Sequence, residues 1–240
     1  MTWPAVPWNQ ALAVSSDEMR AADAAAQRRF GIDPLQLMEV AGWQVARVAD
    51  QVLAGASGKR ILVVAGSGNN GGDALCAARF LKQRGALVRV SLVPPRDSES
   101  LASHHESTLR ALGVSIVQAP EGIDANADLI IDGLLGTGIR PPLRAPAPQI
   151  IDAINRTGRQ VLAVDVPSGL DADAGAGADQ AVRATITVTL AAPKPGLVRS
   201  ANAGRILLAD IGMPLSLFST ARDSLEAVYR LGDLVELTLS

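Results

Sequence analysis

Aromatic side chains make up only 3% of this 240-residue chain, and cysteine occurs once. A single cysteine, Cys76, cannot close an internal disulfide, so no oxidised framework holds the fold. With so few aromatics, the core has to be built from aliphatic residues and alanine. The two histidines, His104 and His105, are adjacent. Neighbours on a helix point roughly 100° apart, so these two are expected on a solvated surface and not as joint ligands of one ion. No stretch of about 18 uncharged apolar residues occurs, so no membrane-spanning helix is expected. The start, MTWPAVPWNQ, has no basic region ahead of an apolar one. No secretory leader is therefore expected, and the cytoplasm is the expected location. The net charge is −2 and no basic stripe is visible, which gives no electrostatic case for nucleic acid.

What is present is an aliphatic α/β pattern. Hydrophobic residues make up 48% of the chain and charged ones 19%, enough for a sizeable core. The chain is organised around Ile61–Gly85. The apolar β-branched run Ile61–Val64 leads into a loop with Gly66, Gly68, Gly71 and Gly72, and Asn69 and Asn70 stand between the glycine pairs. A helical pattern begins at Asp73 and continues through Leu75, Ala78 and Leu81. Glycines there permit close approach of a ligand to the backbone, and free N–H groups at a helix start favour an anion. Gly66, Gly68 and Gly71 fit G-x-G-x-x-G, but the dehydrogenase reading needs an acidic residue about 20 positions on, at the next strand end. That strand, Leu87–Val93, is followed by Pro94 and Pro95 with no carboxylate. The phosphate-loop reading lacks Gly-Lys-Ser/Thr. A capped βα turn that holds no ligand is the plain alternative.

Around this unit the pattern predicts a helix from Ser15 or Ser16 to about Phe30, ended by Gly31, and a second that starts at Asp33-Pro34. A polar helix is expected over about Ser98–Leu112. Strands are expected at Val114–Val117, Asp128–Asp132, Gln160–Asp165, Thr185–Leu190 and Arg205–Ala209, with a helix at Ala147–Arg156. The Leu/Val pattern Leu231–Leu239 reads as a last strand or the start of a further element. Residues 1–14 read as an arm whose Trp3 and Trp8 dock on the body or on a second subunit, and a homodimer is the expected assembly. Strands alternating with helices imply a three-layer αβα, Rossmann-like sandwich with a mainly parallel sheet, in one domain over residues 1–240.

Three unusual connections, Gly66–Asp73, Asp132–Arg144 and Asp165–Gly177, each follow a strand. In a parallel sheet they emerge at one end and converge where ligands bind. The converged groups would be Asn69, Asn70, Asp73, Asp132, Thr137, Asp165 and Ser168. With no histidine or cysteine among them, they suit a hard cation or a polar organic ligand, and two strand-end aspartates can divide acid and base work. Asp171 and Asp173 read as a solvated turn, because the later ligands of a calcium loop are missing.

In this order, GSGNNGGDALCAARFL, LIIDGLLGTGI, VLAVDVPSGLDAD and TVTLAAPKPG resemble the NAD(P)H-hydrate epimerases, the YjeF N-terminal domain family. The resemblance covers about residues 15–212. It implies interconversion of the R and S epimers of NADH and NADPH hydrated at C6, coupled to a separate dehydratase that takes the S form. It places the substrate on Asn69, Asn70, Gly71, Gly72, Asp73 and Asp165, and its phosphates on the loop Gly136, Thr137, Gly138, Ile139, Arg140, Pro141 and Pro142. It gives a potassium ion the oxygens of Asn70, Asp132 and Ser168, and Asp165 is the candidate catalytic acid/base. Lys194, at another strand end, is placed to pair with a phosphate instead. Small differences from the family pattern occur: Ser67 replaces a usual proline, Ala74 a common glycine and Gly133 a common alanine. The chain ends with no room for a dehydratase domain, so a stand-alone epimerase or a truncated chain is expected. A non-catalytic nucleotide-binding or scaffold module of the same fold is the alternative.

Overall fold

The computed structural model describes residues 3–94, 97–140 and 142–239. Among these, nine strands form one sheet: β1 Ala5–Pro7, β2 Arg60–Ala65, β3 Leu87–Leu92, β4 Ser115–Gln118, β5 Leu129–Gly133, β6 Val161–Val164, β7 Ile186–Leu190, β8 Arg205–Ala209 and β9 Leu234–Thr238. Six α-helices accompany them: α1 Ser16–Phe30, α2 Pro34–Val52, α3 Asn69–Gln83, α4 Leu101–Ala111, α5 Ala147–Arg156 and α6 Arg222–Tyr229. The strand order is β1-β9-β8-β7-β6-β5-β2-β3-β4, parallel throughout except for β9 against β8.

The apolar strand runs exist because both sheet faces are covered. Ile61, Val63 and Ala65 of β2 face a large core with Val45 and Val48 of α2, Leu75 and Leu81 of α3, and Leu109 of α4. Leu62 and Val64 face the other way, onto Ile150, Ile151 and Ile154 of α5. The expected three layers are therefore present, and the aliphatic core needs no aromatic cluster. The helix ends follow their capping chemistry. Ser15 accepts from the Glu18 amide, Gly31 closes α1 at φ +66°, and Asp33 forms a reciprocal cap with Gln36 ahead of Pro34.

Four expectations change. Helix α3 starts at Asn69, with Gly68 as its N-cap, so Asp73 lies one turn inside the helix and does not start it. The arm is a strand: Ala5–Pro7 pairs with β9, and Trp3 and Trp8 pack on this chain's own core. Helix α6 was not legible. It buries Leu225 and Val228, and the Leu/Val tail after it is β9. His105 is 1% exposed, because Ala102, His105 and Leu109 form the inward stripe of α4, while His104 stays outside.

Candidate active site

The order of strands reverses between β2 and β5, which are neighbours. The loops after these two strands therefore part to opposite sides and open a crevice at the carboxyl edge. Their glycines let them stack. A Cβ on Gly66 would lie 1.9 Å from the Leu134 carbonyl oxygen, and one on Gly71 would lie 2.0 Å from the oxygen of Gly66. Gly72 packs against the Met38 thioether of α2. Gly68, the N-cap of α3, has open space beside it, and a helix start offers free amides to an anion.

Beneath the loops, Asp132 at the end of β5 is fully buried. Its Oδ1 accepts from the Ser168 hydroxyl at 2.6 Å and the Leu134 amide at 3.2 Å, and its Oδ2 accepts from the Ser168 amide at 2.9 Å. The Asn70 side-chain amide donates to the Leu135 carbonyl at 2.8 Å, and the Leu135 amide donates to Ser168 Oγ at 2.8 Å. Asn70 of α3, Asp132 of β5 and Ser168 of the loop after β6 are thus linked through Leu134 and Leu135. Burial pushes the Asp132 carboxyl up to about 6, against the pull of these hydrogen bonds.

Asp165 follows β6 in the left-handed region, at φ +64°. A non-glycine residue held there is strained and is fixed by its surroundings. Its Oδ1 pairs with the Lys194 ammonium and also accepts from the Leu190 amide at 3.0 Å and the Thr189 hydroxyl at 3.3 Å. Among the described residues, Oδ2 accepts no hydrogen bond. Lys194 is 1% exposed and also donates to the Leu190 carbonyl. It is therefore the counter-ion of Asp165 while also lining the cavity where a phosphate partner was expected.

These groups share a cavity of about 620 Å³. Asn69, Asn70, Gly71, Asp73, Gly136, Thr137, Gly138, Ile139, Asp165 and Lys194 line it. Arg140 and Pro142 are exposed and lie off its wall, Gly72 is buried and also off it, and Pro141 lies outside the described residues. Asp132 and Ser168 sit under the wall. The sequence reading missed one side altogether: Arg20, Asp23, Ala24 and Gln27 of α1 also line the cavity. Their i, i+3, i+4, i+7 spacing was the available signal. Burial raises the Asp73 carboxyl well above the usual range, and the charges of Asp165 and Asp23 add to this. Three carboxyls and one ammonium thus line the same cavity. Asp173, expected in a solvated turn, instead accepts from the Ser16 amide at 2.8 Å and anchors the start of α1.

A second polar group lies between α2, α3 and α4. One ligating atom each from Glu39, Cys76 and His105 comes within 4.8 Å of the others, a composition able to hold a metal ion. Arg79 already pairs with Glu39 and lies 3.9 Å from Cys76 Sγ, so a guanidinium supplies the positive charge there. Burial pushes the Cys76 thiol up to about 12 and the His105 imidazole down to about 4, leaving both neutral.

Comparison with known proteins gives the family and the fold. A family described as YjeF-related protein N-terminus matches residues 34–196. A bifunctional NAD(P)H-hydrate repair enzyme of Moorella thermoacetica is 38% identical over 220 residues, which cover 86% of this chain and 42% of that protein. An NAD(P)H-hydrate epimerase of Rhodopirellula baltica is 31% identical over 158 residues, 64% of each chain. This chain thus spans less than two thirds of the length of these curated relatives. The crystal structure of the yeast protein YNL200c matches with a TM-score of 0.79 at 25% identity, covering 94% of this chain and 99% of that one. By the reach of the family match and the shared fold, the chain belongs to the YjeF-related protein N-terminus family.

Proposed function

We propose that the protein is an NAD(P)H-hydrate epimerase, an isomerase that interconverts the R and S forms of NADH and NADPH hydrated at C6. The observation that carries this is one cavity lined by two glycine loops and by Asp165, whose Oδ2 accepts no hydrogen bond among the described residues. The loops suit a diphosphate through their backbone amides. The names of the Rhodopirellula and Moorella relatives supply the substrate class.

Epimerisation needs the C6–O bond to break and to re-form on the other face. The lone pair of the ring nitrogen forms the N1=C6 bond as oxygen leaves, and a planar cation results. The Asp165 carboxylate, fixed by three donors on Oδ1, presents Oδ2 to that developing positive charge and to the proton of water. Lys194 holds it in place.

A potassium ion belongs to this reading, held by the oxygens of Asn70, Asp132 and Ser168. The donor set fits: it is all oxygen, and Asp132 is a buried carboxylate with no cationic side chain paired to it among the described residues. A bound cation there supplies positive charge beneath the two loops. The reading extends to coupling with a dehydratase that consumes the S form, to the cytoplasm as the location, and to a homodimer, for which exposed Val40 and Trp43 of α2 offer a surface. Among the described residues no helix is long and apolar enough to cross a membrane. Pure R hydrate, incubated with the protein in potassium buffer and resolved by chromatography, tests the activity. Conversion to the R/S mixture at a rate proportional to protein supports it; the spontaneous rate alone contradicts it.

A further inference from the structure

We propose that Asp23 is the second proton-carrying group of this cavity, acting on the face of the nicotinamide ring opposite to that served by Asp165. The assignment rests on the epimerase reading above and adds a residue to it. A planar C6 has two faces, and one carboxyl fixed to one wall reaches only one of them. The departing oxygen needs a proton on its face, while the incoming water needs a base on the other.

The structure supplies a carboxyl from a different wall. Asp165 stands at the sheet edge, after β6. Asp23 stands on a different element, α1, in the stripe Arg20, Asp23, Ala24, Gln27 that also lines the cavity. That helix is a rigid support. Met19, Ala22 and Ala26 are packed in the core, and the first turn is held by the Ser15 cap and by Asp173. Arg20, one turn before Asp23, is paired with Asp17. Among the described residues Asp23 has no ion-pair partner of its own. It is exposed and lines the cavity.

Its environment suits a donor. Partial desolvation raises the Asp23 carboxyl, the Lys194 ammonium opposes the rise, and the Asp165 charge adds to it. Asp165 differs in its contacts: its Oδ1 takes three donors including an ammonium, and among the described residues its Oδ2 accepts none. The step balances as follows. Asp23 gives its proton to the C6 oxygen, the C6–O bond breaks with its pair on oxygen, and water departs. The N1 pair fills N1=C6. Water then attacks C6 from the other face, N1 regains its pair, and the excess proton passes to Asp165. Bulk water restores both carboxyls, and the reverse reaction uses them in exchanged roles.

The experiment uses the whole chain in water labelled with heavy oxygen, starting from each pure epimer. Inversion and label uptake are followed separately by chromatography and mass spectrometry. For wild type, both epimers invert and take up label. For Asp23→Asn, inversion falls at least about 100-fold in both directions. One epimer, that whose oxygen lies on the Asp165 side, still takes up label with retention, and the other does not. Asp165→Asn reverses which epimer exchanges, and Asp23→Glu restores part of the inversion. Wild-type inversion by a folded Asp23→Asn would overturn the assignment. So would loss of exchange from both epimers alike, or equal exchange from both. A wild-type protein that neither inverts nor exchanges either epimer overturns the epimerase reading itself, which the variants then cannot be blamed for.

Discussion

A Cβ built on Gly133 would lie 2.5 Å from the Cβ of Ala74, so β5 and α3 share room for one methyl group. The sequence places alanine at 74 where the resembled family commonly has glycine, and glycine at 133 where it commonly has alanine. A Cβ at 133 would also lie 2.8 Å from the Asn70 carbonyl oxygen, so removing the Ala74 methyl relieves only part of the crowding. Gly133→Ala should cost about 1–3 kcal/mol by overpacking. Adding Ala74→Gly should return part of this, with a coupling of about 0.5 kcal/mol or more. Denaturant titration of the four proteins measures it. Strict additivity would show that the methyls do not compete.

The glycines of the first loop divide by role. Gly66→Ala drives its methyl into the Leu134 carbonyl, 1.9 Å away, and should lower stability by about 3 kcal/mol or more. Gly68→Ala meets nothing within 4 Å and should leave stability within about 0.5 kcal/mol, while weakening a ligand on the loop. Thermal melts with and without NADPH separate the two effects.

The Asp165–Lys194 pair should behave as a unit. Asp165→Asn leaves a buried ammonium without its counter-charge, which costs about 3–5 kcal/mol. Lys194→Met should also destabilise. The double variant should be more stable than the sum of the singles predicts, by about 1 kcal/mol or more. All three should lose activity, so recovered stability without recovered turnover is the expected pattern.

His105 gives an acid limb to stability. Its imidazole ordinarily titrates near 6.5 and burial lowers it to about 4 in the fold. The folded protein binds the proton less well than the unfolded chain. The stability it confers is therefore full above about 6.5 and is lost as pH falls from there through about 4. His105→Leu should flatten that part of the profile of unfolding free energy against pH. An unchanged decline would place its origin in other groups.

Much of the fold was legible because its strands are buried on both faces. Ile61–Val64 and Leu129–Ile131 are continuous apolar runs, and such runs identify parallel strands regardless of loop detail. The convergence of Asn70, Asp73, Asp132, Asp165 and Ser168 followed from where such strands end. What was not legible depends on partners distant in sequence. Lys194 in a Pro-Lys-Pro-Gly turn reads as exposed, and only Asp165, far earlier in the chain, explains its burial. The Arg20–Gln27 stripe of α1 reads as an outer face, because a wet cavity and bulk solvent favour the same residue types. His105 reads as surface until α3 is packed against its helix and Glu39 of α2 comes beside it. Ala5–Pro7 is too short to signal a strand without β9.

The central claim is that this cavity inverts C6 of hydrated reduced nicotinamide nucleotides. The most direct test supplies racemic hydrated NADPH to an S-specific dehydratase with its nucleotide, in potassium buffer. The near-ultraviolet absorbance of recovered NADPH is followed with and without this protein. The account predicts that the S half is recovered in both reactions, and that the R half follows rapidly only when the protein is present. Recovery of the R half at the same slow spontaneous rate in both would contradict it.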